Sequence, residues 1–173
     1  MGGRDMAPQP PRRSDRPGEA VAVLYPVTYT VTVGDGRSTE ALVEAGTYGY
    51  AHSAVLSENF PARHAGGPRV RELVLLRFAG EVTAPEVLAE AAWRGLQAPT
   101  YEDALYFGIA HPEAQREGPI VFMHEPWVGY FGRRDVLCLW DNAGRRELGL
   151  DGFDDTWREG CRFAFVTPAA GGG

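Results

Sequence analysis

Residues 100–127 read TYEDALYFGIAHPEAQREGPIVFMHEPW and bring together two histidines, five acids and one arginine. Side chains of these types can hold a metal or move protons, so their spacing is the first thing to weigh. Histidines that bind a metal usually share one element, as two residues four apart on a helix do. Here His111 closes a helix and His124 closes a strand, and Glu125 would point to the opposite strand face if the strand continues. A small metal-dependent hydrolase built on His111, His124 and Glu125 is therefore an alternative that only the fold can assemble. His52 and His64 belong to an irregular loop.

Other chemistries have less behind them. There is no G-x-S-x-G elbow, and Ser53 and Ser57 lack a recognisable catalytic setting. Cys138 in VLCLW and Cys161 in GCRFAFV sit in apolar strand-like runs, where thiols are inert and reduced. A disulfide between them is conceivable only if their strands lie side by side. Two distant cysteines do not make a zinc motif. The acidic run DGFDD, with Asp151, Asp154 and Asp155, lacks the alternation, glycine and distal glutamate of a calcium loop and reads as a solvated turn. GDG, AGG and GRRD lack the strand–loop–helix setting that aims amides at phosphate. No metal and no cofactor is expected.

Aromatic residues concentrate towards the end of the chain. Trp140, Phe163 and Phe165 alternate with core positions, whereas Trp127, Tyr130 and Trp157 fall at strand ends or in loops. Rings with one apolar face and a polar tip are typical anchors of interfaces and ligand clefts. Trp127, Tyr130 and Trp157 are therefore the candidate binding residues. The expected function is a non-enzymatic binding or assembly module that presents this aromatic surface, with the 47–68 loop, to a protein partner, a ligand or a second copy of itself.

Bulk properties agree. All 17 basic residues are arginine, and the formal net charge of −6 disfavours nucleic-acid binding, which needs clustered cations. No apolar run is long enough to cross a bilayer, and no secretory signal is legible, so membrane insertion is not expected and a cytoplasmic location is.

The elements that must position these residues follow from local pattern. Residues 1–18 are a Pro/Arg-rich leader too poor in apolar groups to order, and 169–173 form a tail, leaving a single domain at 19–168. Residues 21–33 alternate as a strand, with Pro26 confining that point to an edge or a bend. Ser38 or Thr39 caps a short helix ended by Gly46. RVRELVLLRFAG is apolar on both faces, as a covered central strand is. Thr83 with Glu86, and Thr100 with Asp103, are capping signals for two more helices. The first of these should bury Val87, Leu88, Ala91 and Ala92. Pro112 stops the second near His111. The remainder reads as strands joined by hairpin turns at Gly132 and Gly144. The fold class is thus α+β, a single domain with two or three short helices and a mainly antiparallel sheet.

Four segments, ALVEAGTYGYAHSAVLSENFP, ELVLLRF, APTYEDALYFGIAHPEAQREGPIV and CRFAFV, resemble a group of small bacterial proteins to which no activity is attached. The resemblance implies that Gln115, Arg116 and Glu117 form a structural corner between helix and strand. The layout is also loosely similar to C-type-lectin-like domains, a likeness of fold that does not fix function.

Overall fold

The computed structural model describes residues 21–63 and 66–169. The leader expected at 1–18, His64 and the tail beyond residue 169 lie outside these residues. The element order is β1 (Val23–Val33), α1 (Thr39–Ala45), β2 (Tyr50–Ala51), β3 (Arg69–Phe78), β4 (Val82–Thr83), α2 (Ala84–Trp93), α3 (Tyr101–Ala110), a 3-10 turn (Ala114–Glu117), β5 (Ile120–Phe122), β6 (Trp127–Val128), β7 (Arg134–Asn142), β8 (Arg145–Gly152), β9 (Thr156–Trp157) and β10 (Arg162–Val166).

One twisted sheet runs β1-β3-β10-β5-β7-β8-β2, with β6 added to β7 beyond the end of β5. β9 pairs with β4 as a separate short ribbon. The β10–β5 and β2–β8 pairs are parallel and the other pairings antiparallel, so the architecture is α+β with a mainly antiparallel sheet. Pro26 sits where the β1–β3 register shifts between Leu24 and Val27, so the missing amide costs the ladder nothing.

Strand alternation divides the core into two layers. Leu73, Leu75, Ile120, Phe122, Leu137, Leu139 and Ala164 face α1 and α3. Leu76, Phe78, Val121, Val136, Cys138, Phe163 and Phe165 face α2 and the β4–β9 ribbon. Because the central strands are covered on both faces, they read as continuous apolar runs.

Local signals set the helix ends. Ser38 accepts the Ala41 amide, the Glu86 carboxylate accepts the Thr83 amide at 2.7 Å, and the Asp103 carboxylate accepts the Thr100 amide at 2.7 Å. Gly46 does end α1, but at an ordinary φ of −69°. It is glycine because a Cβ there would strike the Tyr48 ring. The buried stripe of α2 is rotated from the one expected: Ala84, Val87, Glu90 and Ala91 face inward, while Leu88 and Ala92 face out. Glu90 is tolerated inside because Arg94, one turn on, pairs with it at 2.9 Å.

A buried polar knot locks α3 and the turn after it onto the sheet. The Arg146 guanidinium donates to the carbonyls of Gly46, Gly108 and Pro112 and to Gln115 Oε1, and it stacks 4.8 Å from the Tyr48 ring centroid. Gln115 Nε2 in turn donates to the carbonyls of Trp140 and Glu147. Arg116 reaches Asp141 and the Gly144 carbonyl, and Arg162 donates to the carbonyls of Ala114 and Gly118.

Cys138 and Cys161 are buried free thiols. The side-by-side arrangement a disulfide needs is not met, because β5 lies between β7 and β10. Two interstrand spacings of about 4.8 Å exceed the Cα separation a disulfide spans.

Candidate functional site

Four rings meet where β5 ends and the chain turns through His124, Glu125 and Pro126 into β6. Phe60 lies 5.5 Å from Trp127, 5.4 Å from Tyr101 and 6.4 Å from His124, centroid to centroid. Tyr101 stands edge-on to His124 at 6.0 Å. The four rings come from three places in the chain. Phe60 is held by the loop after β2, Tyr101 opens α3, and His124 and Trp127 flank the turn between β5 and β6.

The loop carrying Phe60 is long but not irregular in space. The Asn59 and Phe60 amides donate to the Leu56 carbonyl, Asn59 Nδ2 donates to the Ala54 carbonyl, and Ser57 N–H donates to Glu40 at 2.7 Å. Val55 and Phe60 are buried as its two apolar anchors, and the Phe60 carbonyl accepts the buried Thr39 hydroxyl. The loop is therefore a fixed wall, as a binding surface needs.

Two clefts open on either side of Trp127. One, of about 480 Å³, lies between the 59–63 and 98–102 segments and is lined by Phe60, Tyr101, His124 and Glu125. The other, of about 450 Å³, is lined by His52, Glu58, Tyr130 and Leu150. Trp127 and Asn59 border both, so the two form one trough with the indole as a ridge between them. Gly129 gives the indole its place: a Cβ there would lie 2.8 Å from Trp127 Cζ3.

At the end of the trough is the β6–β7 hairpin tip. Val128, Tyr130 and Phe131 are 60%, 84% and 106% exposed. Gly132 has the positive φ the turn requires, and Phe131 shares it at 69°. A bulky residue in that region carries strain, and strain of this kind gathers at functional sites. Behind the tip, Arg133 Nε donates to Asp135 at 2.7 Å.

The polar groups within the trough are already engaged. His124 is 2% exposed; its Nδ1–H donates to the Glu125 carbonyl at 2.7 Å and its Nε2 accepts the Leu137 amide at 3.0 Å. That pattern fixes the neutral tautomer, and burial pushes the imidazole pKa down to about 4. The Tyr101 hydroxyl donates to the Pro61 carbonyl, and burial raises its pKa. Glu102 accepts the Arg63 amide at 2.6 Å. What is left for a ligand is ring surface, backbone, and the exposed charges of Glu58, Glu125, Arg63 and Arg133 at the rim.

The residues of the hydrolase alternative are not brought together as a donor set. His111 caps the far end of α3, where its Nε2 bonds the Thr30 carbonyl at 2.8 Å and its ring packs on Tyr29 and Phe107. Both nitrogens of His124 are used on backbone, leaving no lone pair for a metal. Among the described residues, no group of three or more His, Cys, Asp or Glu side chains is arranged to hold a metal ion.

Of the three expected binding residues, Trp127 and Tyr130 share the trough, but Trp157 does not. It is 5% exposed and packs edge-on against Phe163 at 5.3 Å, on the opposite face of the sheet. The short pairing of β9 with β4 swings it inward. Phe60 and Tyr101 were not singled out from sequence, and neither was the exposed Phe131 as a site residue. Comparison with family models, curated proteins and solved structures finds no match, so the trough is interpreted from its own residues.

Proposed function

We propose that the chain is a non-enzymatic binding module that takes an extended segment of a partner protein across Trp127, with Tyr130 and Phe131 as flanking contacts. The observation that carries this is the position of Trp127, half-buried on Phe60 and bordering both clefts. A ridge between two clefts suits a chain that lays successive side chains into alternate hollows. β6 supports the same mode. β5 carries β10 on the side away from β7, but β6 carries no strand there among the described residues. A free edge beside side-chain clefts is the layout of strand addition, in which backbone bonds give affinity and the hollows give specificity. Rim charges of both signs, Glu58 and Glu125 with Arg63 and Arg133, favour a segment that combines apolar or aromatic side chains with charged ones.

A non-catalytic role is supported by the engaged state of His124, both of whose ring nitrogens bond backbone, and of the Tyr101 proton, which is donated to the Pro61 carbonyl. We place the module in the cytoplasm with both thiols reduced, and expect neither nucleic acid nor bilayer as its target. The acidic balance supports the former, and no helix among the described residues is long and apolar enough to cross a membrane.

The test is to pan a displayed library of linear peptides against the full chain and titrate the selected peptides into variants. Binding should weaken by at least about tenfold in Trp127→Ala and in the double variant Tyr130→Ser/Phe131→Ser, and stay unchanged in Arg158→Gln on the opposite face. Failure to enrich any peptide, or peptides indifferent to Trp127, would overturn the proposal.

A further inference from the structure

On the other face of the sheet, a cavity of about 380 Å³ lies between the strands and the β4–β9 ribbon, with no residue in common with the Trp127 trough. Register builds its floor. Val136 pairs with Asp151, Cys138 with Gly149 and Trp140 with Glu147, so Val136, Cys138, Trp140 and Asp151 rise from one face. Gly149, opposite Cys138, contributes no side chain, and Trp140 Nε1 lies 3.8 Å from where a Cβ at that position would be. The ribbon supplies the wall. Trp157 is fixed there by Phe163, and Glu81, just before β4, borders the same space.

The electrostatics of this cavity are unbalanced. Asp151 is half-buried beside the Cys138 thiol, a neutral neighbour whose hydrogen is directed at the Leu139 carbonyl. Burial raises its pKa and the carboxylates of Asp155 and Asp135 add to the rise, opposed by the Cys138 thiol and the Arg133 guanidinium, which lower it. Among the described residues no cation stands within ion-pair distance of it. Arg158 borders the mouth but is exposed and makes no ion pair with Asp151. A partly desolvated carboxylate with no cation in direct contact, Arg133 acting on it only from a distance, stands beside two indoles, whose faces attract cations. The volume suits a small organic molecule.

We propose that this cavity is a second binding site, for a small organic cation of the alkylammonium class, with Asp151 as counter-ion and the Trp140 and Trp157 indoles against its alkyl groups. The thiols of Cys138 and Cys161 and the side chain of Thr156 complete a lining of mixed polar and apolar character, with the two indoles as its apolar part. Glu81 adds a second negative charge at the edge.

The experiment compares choline with its neutral carbon isostere, 3,3-dimethylbutan-1-ol, by calorimetric titration of the full chain. Choline should bind at least about tenfold more tightly than the isostere, because shape is shared and only the charge differs. Asp151→Asn should abolish that preference. Arg158→Gln should preserve or strengthen choline binding, and Trp127→Ala should leave it unchanged, which separates this site from the trough. Equal binding of the two probes, no choline binding at millimolar concentration, or an unaltered preference in Asp151→Asn would overturn the proposal. Should Asp151→Asn fail to fold, the comparison of choline with its isostere on the unmodified chain decides alone.

Discussion

The His124 imidazole accepts the Leu137 amide at 3.0 Å, bridging the turn after β5 to the middle of β7. Protonation of Nε2 would break that bond and place a charge among Phe60, Tyr101 and Leu137. The pKa near 4 states the same penalty. It lies below the unfolded value of about 6.5, so the stabilisation is complete above pH 6.5 and is lost as pH falls towards 4. A gap of that size corresponds to about 3 kcal/mol. Urea unfolding of the chain and of His124→Gln across pH 4 to 7.5 checks this: the difference between them should narrow with acid, whereas parallel curves would refute it.

Ala143 and Gly144 form the two-residue turn between β7 and β8, both at positive φ, 51° and 89°. Such a turn favours asparagine followed by glycine, and an alanine in the left-handed region is strained by about 1 kcal/mol. Ala143→Asn should raise stability by about 0.5–1 kcal/mol, seen as a higher midpoint in thermal unfolding, with no change at the trough.

Arg146 satisfies four acceptors that no other side chain in the knot can reach. Arg146→Met keeps much of the volume but leaves the buried carbonyls of Gly46 and Gly108 without a donor. A loss of about 3 kcal/mol or more is expected, and Arg146→Lys should rescue little, because one ammonium cannot span the same fork. Denaturant midpoints of the three chains measure it.

Cys138 and Cys161 should both resist oxidation to a disulfide, since β5 separates their strands. Burial also raises both thiol pKa values, so alkylation of the folded chain should be slow, with Cys138 slower than Cys161. Intact-mass measurement after mild oxidant, and timed alkylation with and without denaturant, check both statements.

Helix ends were legible because their causes are local: a capping side chain and the amide it serves lie three residues apart. The covered character of β3 was legible too, since Leu73 and Leu75 alternate with Leu76 and Phe78 across two core layers. Strand order was not, because the parallel pairing of β10 with β5 joins segments about forty residues apart and leaves no local trace.

The site was half legible. Trp127 and Tyr130 stood out as amphipathic rings at strand ends. Phe60 was hidden in a segment that looks irregular because its order comes from side-chain bonds such as Asn59 to the Ala54 carbonyl. Tyr101 read only as the first residue of a capped helix. Trp157 lies on the other face of the sheet from these two, and the two-residue pairing with Val82 and Thr83 that puts it there is too short to leave a pattern. That His111 Nε2 and both nitrogens of His124 bond to backbone was not legible, because their partners at Thr30 and Leu137 lie far from them in the chain.

The most direct test of the central claim is hydrogen exchange of the full chain with and without a saturating selected peptide. Added protection should fall in 52–63, in 98–102 and in 124–130, the three segments that wall the trough, with the Val128 amide among those slowed. Protection confined to β1, or to the 151–161 segment on the opposite face, would contradict the account.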